Sequence, residues 1–344
     1  MPTRTKISFA TCNLYNLHLP GQQIYSDADG WSPSEYEAKI DWLARMLPVV
    51  DAGCWGFQEL WHPDALQAAF QRAGILADYR LLVPEGHSGA SIVCGGAVLK
   101  DHLVGEPEWI EAFPEKLVLQ SGGDDDQTPE IAVSVDGFSR PVLHFRIRPR
   151  SGGKIIHVFV VHLKSKMPAK VYREGWYRRD SDYYKNHSEG IGAAISTIRR
   201  TAEAAALRMV LVDMMKGTDT PVVVLGDMND AQMSNTLNVV TGQPNYLLGL
   251  SKGGADADLY TVCTLQEYRS LRDVYYTHIH QNQRESLDHI LISQEFYDNA
   301  RRRIWAFKGM EVFNDHLNRE NHKADGTSDH GIVKATFEYR PNRR

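Results

Sequence analysis

Short runs of apolar, often β-branched residues recur along the chain at 7–11, 91–99, 131–135, 142–147, 155–162, 221–225, 287–293 and 331–337, and their length and residue types predict strands. The period changes at Tyr36, Ile40, Leu43 and Leu47, which repeat at four, three and four residues and so mark one helical face. Ser32-Pro-Ser-Glu35 precedes them with capping-box spacing and a proline at the first helical position. A second helix is predicted over 63–73, ending at Gly74. A third is predicted over 189–216, with Ile191, Ile195, Ile198, Ala202, Ala205, Met209 and Val212 as its apolar stripe and Gly217 as its C-terminal cap. Strands outnumber helices and do not alternate with them, so the pattern predicts an α+β layered sandwich rather than a doubly wound parallel sheet. Long loops are expected at 19–30, at 121–127 with its Gly-Gly-Asp-Asp-Asp, and at 242–258.

The chain has 344 residues, 42% hydrophobic and 24% charged, which is enough apolar material for a sizeable core in one large domain or two smaller ones. Its formal net charge of -5 excludes binding of nucleic acid by bulk positive charge, so an anionic substrate has to be met locally. Cys12, Cys54, Cys94 and Cys263 are scattered with no C-x-x-C pair, which predicts free thiols in a reducing compartment. The N-terminal residues lead straight into the first strand without the apolar stretch of a secretory signal. No apolar run approaches the roughly 18 residues that span a bilayer. These features predict a cytoplasmic protein without membrane association, and no obligate protein partner is evident.

Candidate chemistry gathers at strand ends. The first strand ends at Asn13; Gly56-Phe-Gln leads to Glu59; the run from Val158 ends at His162; and Val222 to Gly226 leads to Asp227 and Asn229. Asp288 starts a strand, and Ser328-Asp329-His330 precedes the last one. Oxygen- and imidazole-bearing side chains at strand ends on one edge of a sandwich converge on one cleft, and such donors suit a hard cation or a phosphate. Glu59 follows the apolar Trp55-Gly-Phe57 run, where an ionised carboxylate is costly unless it is paired or binds a metal.

This set, in this order, resembles the endonuclease/exonuclease/phosphatase superfamily, which includes DNase I, exonuclease III, neutral sphingomyelinases and inositol polyphosphate 5-phosphatases. The matching motifs are Thr11-Cys-Asn-Leu-Tyr-Asn-Leu17, Phe57-Gln-Glu-Leu60, Val161-His-Leu-Lys-Ser165, Gly226-Asp-Met-Asn229, Leu287-Asp-His-Ile-Leu291 and Ser328-Asp-His330. The strings around His162 and Asp288 look most like bacterial nuclease-like members. The resemblance implies a four-layer α/β/β/α sandwich with two packed, mainly antiparallel sheets, formed by a single domain over 1–344 with loop insertions at about 164–188 and 242–260. It implies a divalent cation, Mg²⁺ or Mn²⁺, held by Asn13, Glu59 and Asp329. It also implies in-line water attack on a phosphodiester: His330, paired with Asp288, acts as general base, Asp227 orients or deprotonates the water, and His162 and Asn229 donate to phosphate oxygens. Tyr15 stands where the base-repair branch carries an acidic residue, so no further carboxylate joins the implied metal shell.

Between Lys164 and Lys185 lie seven basic residues against three acidic ones, interleaved with Tyr172, Trp176, Tyr177, Tyr183 and Tyr184. That composition suits a surface that tracks phosphates and stacks on bases. Lys164, Lys166, Arg178, Arg179 and, on the following helix, Arg200 are the candidate phosphate contacts. The sequence therefore predicts a nuclease acting on DNA or RNA, with a phosphodiesterase or phosphatase for a small or lipid phosphate as the alternative. A non-catalytic binding module is disfavoured because every catalytic position is present.

Overall fold

A computed structural model describes residues 5–25, 28–122, 129–244, 246, 257–270 and 275–342. Most of the loops expected at 121–127 and 242–260, and positions 26–27 of the loop at 19–30, lie outside the described residues. One six-stranded sheet contains β1 (Lys6–Leu17), β2 (Cys54–Leu60), β3 (Tyr79–Leu82), β4 (Val93–Leu99), β15 (Trp305–Phe313) and β16 (Ile332–Tyr339), in the order β15-β16-β1-β2-β4-β3. The other contains β5 (Glu108–Ala112), β8 (Gly137–Ile147), β9 (Ile156–His162), β10 (Val222–Asp227), β11 (Tyr260–Thr261) and β14 (Asp288–Ile292), in the order β11-β14-β10-β9-β8-β5. Two small ribbons pair β6 (Gln120–Ser121) with β7 (Ile131–Ala132), and β12 (His278–His280) with β13 (Gln283–Glu285). The strand predicted over 131–135 thus reduces to two exposed residues.

Each large sheet is antiparallel except for one central parallel pair, β1 with β2 and β9 with β10. A parallel pair needs a crossover. The crossovers carry α1 (Pro33–Val50) and α5 (Ser188–Met215). Further helices are α2 (Pro63–Arg72), α3 (Gly175–Arg179), α4 (Ser181–Tyr184), α6 (Asn235–Thr241), α7 (Val262–Glu267) and α8 (His322–Asp325).

Three buried clusters define the layers. Phe9, Phe145, Val158, Val160, Val223, Leu225, Ile290 and Phe337 fill the space between the sheets. Leu14, Trp55 and Phe57 pack against Ile40, Leu43 and Leu47 of α1 and Leu66 of α2. Phe159, Val161, Val222 and Val224 pack against Leu207, Leu211 and Met215 of α5 and Val240 of α6. The result is the α/β/β/α sandwich. Central strands bury both faces, which is why they read as unbroken apolar runs. At Gly56 an added Cβ would sit 3.0 Å from Val160 and 3.1 Å from Leu225, so this glycine permits the close approach of the sheets.

Ser32 caps α1: its Oγ accepts from the Glu35 N–H at 3.3 Å and the Glu35 carboxylate accepts from the Ser32 N–H at 2.7 Å. Gly217 follows the Lys216 cap of α5 with φ of 75°. The predicted stripe of α5 is corrected: Ile195 and Ile198 are 43% and 49% exposed, and Gly192, Ser196, Arg200, Glu203, Leu207 and Leu211 face inward. The first half of this helix packs on polar backbone rather than on the apolar sheet. Ser196 donates to the Met167 carbonyl at 2.8 Å, and an added Cβ at Gly192 would meet the Ala169 carbonyl. No helix among the described residues is long and apolar enough to cross a membrane.

Candidate active site

The cleft lies where the two parallel pairs end. On the second sheet, Asp227 stands in register with His162 on one side and Asp288 on the other, so three side chains share one row. On the first sheet, bulges after Asn13 and Phe57 change the register. Such bulges turn side chains out of the ladder. Glu59, Tyr15, Asn16 and, across the cleft, Asn229 have φ of 59°, 50°, 54° and 51°. Left-handed backbone at four non-glycine residues is strain held by the surrounding hydrogen bonds.

Asn13 ties the sheets together: its Nδ2 donates to Glu59 Oε1 at 3.2 Å and to Asp227 Oδ2 at 3.1 Å. Its Oδ1, the atom a metal would use, accepts the Tyr15 N–H at 2.9 Å. Glu59 Oε2 accepts the Asn16 N–H at 3.0 Å. Asn229 donates its N–H to Asp227 Oδ1 at 2.8 Å, and its Nδ2 to the Leu163 carbonyl at 3.0 Å and to Asp227 Oδ2 at 3.2 Å. Both Asn229 amide hydrogens are thus engaged, and the geometry makes it an orienter of Asp227 rather than a donor to phosphate. His162 Nε2 lies 3.5 Å from Asp227 Oδ2 and 3.9 Å from Glu59 Oε1.

The Ser328–His330 loop closes the cleft. Ser328 Oγ donates to the Asn13 carbonyl at 2.8 Å and accepts the His330 N–H at 3.1 Å. His330 Nδ1 lies 2.8 Å from Asp288 Oδ2, which leaves Nε2 toward Asp227 Oδ2 at 4.0 Å. Asp288 is positioned by Thr277, whose Oγ1 accepts the Leu287 and Asp288 N–H groups at 2.9 and 3.2 Å.

Burial and crowding set the charges. Burial raises the Asp227 carboxyl to about 7, Asp288 adding to the rise and His330 opposing it. Burial and the Asp329 carboxylate raise Glu59. Burial pulls the His330 imidazole down, but Asp288, Asp227 and Asp329 outweigh it and hold it well above its ordinary value. Burial, together with Arg140 and His330, keeps His162 uncharged. Within the cleft, the buried Asp288 Oδ1 and His162 Nδ1 have no hydrogen-bond partner among the described residues. A hard divalent cation fits this donor set: Glu59 and Asp329 offer carboxylate oxygens whose mutual repulsion a cation would relieve.

The rim candidates divide. Arg178 and Arg179 are exposed on α3, and Tyr172 and Tyr183 are 50% and 61% exposed. Trp176 packs edge-on against Tyr184 with ring centroids 4.9 Å apart, so part of the aromatic set is occupied locally. Lys166 pairs with Glu285 at 2.7 Å and faces Asp230 at 3.9 Å. Burial, aided by Arg140, lowers Lys164 to about 8, and its Nζ donates to Ser165 Oγ at 3.1 Å. Arg200 does not reach a solvent phosphate: it is buried, with Nε on Asp230 at 3.3 Å and Nη1 on the Lys164 carbonyl at 3.2 Å.

Several site residues escaped sequence reasoning. Arg140, just before the apolar run of β8, donates to the Leu163 carbonyl at 3.4 Å and bears electrostatically on Glu59 and His162. Trp61 and Tyr25 both donate to Asn16 Oδ1, at 3.0 and 3.1 Å. Lys39 on α1 is wholly buried among the rings of Tyr15, Trp31 and Trp42, and donates to the Thr327 carbonyl at 3.0 Å behind Asp329. Only Lys39 left a trace in the sequence, as a charge flanking Ile40 on the apolar face of α1.

Residues 11–330 match the model of the family described as Endonuclease/Exonuclease/phosphatase family. No curated protein matches the sequence. Among solved structures, an endonuclease/exonuclease/phosphatase from Bacteroides vulgatus superposes with a TM-score of 0.55 at 14% identity, covering 98% of this chain and 100% of the other. The human Nocturnin catalytic domain, with a bound sulfate anion, superposes with a TM-score of 0.56 at 15% identity, covering 99% and 97%. A mannosyl-6-phosphatase from Bacteroides thetaiotaomicron gives a TM-score of 0.53 at 14% identity, covering 97% and 100%. At these identities the likeness shows the shared fold.

Proposed function

The chain belongs to the endonuclease/exonuclease/phosphatase family, and on that premise we propose that this metal-dependent phosphoesterase is a nuclease that hydrolyses phosphodiester bonds of DNA or RNA by in-line attack of water. The observation that carries the substrate is the segment directly after His162, where seven basic side chains face three acidic ones and Tyr172, Tyr183, Arg178 and Arg179 are exposed. Exposed aromatic faces among fixed positive charges suit stacked bases on a phosphate track.

A divalent cation, Mg²⁺ or Mn²⁺, held by Glu59 and Asp329 with Asn13 beside them, supplies charge neutralisation and polarisation of the phosphoryl oxygen. The remaining steps belong to the chain. Asp288 fixes the His330 tautomer so that Nε2 faces the cleft; a cation bound at Asp329 would offset part of the negative charge that keeps this imidazole protonated, leaving Nε2 free to take a proton from the attacking water. Asp227, clamped by Asn13 and Asn229, orients that water from the other side. His162, uncharged and within 3.5 Å of Asp227, donates through Nε2 to a non-bridging oxygen. Arg140, which bears electrostatically on Glu59 and His162, adds positive charge near the developing phosphorane.

The test uses purified protein with Mg²⁺ or Mn²⁺ against plasmid DNA, single strands, RNA and bis-p-nitrophenyl phosphate. Glu59→Ala is expected to abolish every metal-dependent activity. Arg178→Ala with Arg179→Ala is expected to lower nucleic-acid cleavage roughly tenfold or more while sparing the small diester. Equal loss on both substrates overturns the nucleic-acid reading, and robust turnover of a small phosphate ester with none on any polymer favours the small-phosphate alternative.

A further inference from the structure

The β12–β13 ribbon, which the mechanism does not use, carries two histidines two residues apart, and one of them is locked onto the base. His278 forms a β-bridge with His330, fixed by the Gly331 N–H donating to the Thr277 carbonyl at 2.7 Å, and the two imidazole centroids lie 4.8 Å apart. His278, Asp329 and His330 each offer a ligand atom within 4.8 Å of the others. His280 lies two positions along the same strand, its ring nearly parallel to His278 at 6.3 Å.

We propose that His278, Asp329 and His330 form a site for a borderline transition-metal ion, with Zn²⁺ the best fit, and that filling this site switches the enzyme off by capturing His330. The inhibition rests on the catalytic reading above; the metal binding does not. Two imidazoles and one carboxylate select Zn²⁺ and its neighbours over Mg²⁺, which takes oxygen donors. Glu59 with Asp329 is an oxygen site for the hard cation, whereas His278 adds the nitrogen donor that changes the preference. Because Asp288 holds His330 Nδ1 at 2.8 Å, Nε2 is left as the ligand atom. A carboxylate behind a ligating histidine is the usual support of a zinc imidazole. A tetrahedral ion about 2.1 Å from each donor sets the donors about 3.4 Å apart, so side-chain shifts of about 1 Å close the site. A fourth position stays open for His280 or water.

The experiment measures binding and inhibition separately on the full chain. Co²⁺ titrated into Mg²⁺-saturated wild-type protein is expected to give tetrahedral visible absorption that Zn²⁺ displaces. In His278→Ala, and in His278→Gln as the better-folding alternative, that absorption is expected to vanish and Zn²⁺ affinity to fall at least about tenfold. The Zn²⁺ concentration that halves hydrolysis of bis-p-nitrophenyl phosphate, relative to each variant's own zinc-free rate, is expected to rise by a similar factor. Unchanged Zn²⁺ affinity in both His278 variants, or no tetrahedral Co²⁺ spectrum in the wild type, overturns the site. A His278-dependent Co²⁺ spectrum in a protein inactive on every ester upholds the metal site and overturns the catalytic reading alone.

Discussion

Asp227 sits where both sheets deliver their charges, and its proton is the most informative one in the molecule. Its carboxyl is raised to about 7 from an ordinary 3.8, chiefly by burial. A raised acid favours the folded state while protonated, so that contribution is complete below the ordinary value and is lost as pH rises through about 7. Above that pH the cation-free cleft gains the negative charge of Asp227 beside Glu59, and a bound divalent cation offsets it. The rise in Tm on adding Mg²⁺ or Mn²⁺ is therefore expected to be at least about twice as large near pH 8 as near pH 5.5, measured by calorimetry. In Asp227→Asn the pH dependence is expected to flatten. A wild-type metal shift that is equal at both pH values contradicts the charge state assigned to this cleft.

The elements explain which parts of the fold could be read in advance. Seven of the eight interior strands, β1, β4, β8, β9, β10, β14 and β16, coincide with runs predicted from the sequence, and β2 showed only as the short Trp55-Gly-Phe57 run before Glu59; the clearest runs are β9, β10 and β14, which are buried almost throughout on both faces. The four edge strands, β3, β5, β11 and β15, were not legible: they are short or carry exposed polar positions, as edges do. Interior strands deliver Asn13, Glu59, His162, Asp227 and Asp288, so the site was legible with them. Arg140 and Lys39 were not, because nothing local ties a charge near the start of β8 or on α1 to a strand end across the sheet. The polar face of α5 was misread for a related reason: Glu203 is buried and accepts the Ser139 N–H at 2.9 Å, the Ser139 hydroxyl at 2.5 Å and the Lys164 N–H at 2.7 Å. Glu203→Ala leaves those donors unsatisfied and is expected to cost roughly 2–4 kcal/mol in urea unfolding. A loss below roughly 1 kcal/mol contradicts Glu203 as the anchor of the rim segment.

At the scale of the whole molecule, the sandwich brings residues from 13 to 330 into one cleft on a chain of net charge -5, and sets a local excess of positive charge at its rim. Global repulsion and local attraction act over different distances. At physiological salt the Debye length is about 8 Å, so distant acidic residues are screened while rim contacts to phosphate survive. Each phosphate neutralised by a rim cation releases condensed counterion, giving a slope of about -0.9 per contact in log affinity against log salt for duplex DNA. A small diester has no condensed counterions to release. For nucleic acid, log kcat/KM is therefore expected to fall steeply with salt, and for bis-p-nitrophenyl phosphate to change little. Removing Arg178 and Arg179 together is expected to flatten the nucleic-acid slope by up to about two units. Because both substrates use the same catalytic cleft, the difference between their salt slopes isolates the contribution of the rim. Parallel salt dependences for polymer and small diester would mean that the rim charges meet no phosphate backbone, and the substrate assignment would then pass to a small phosphate ester.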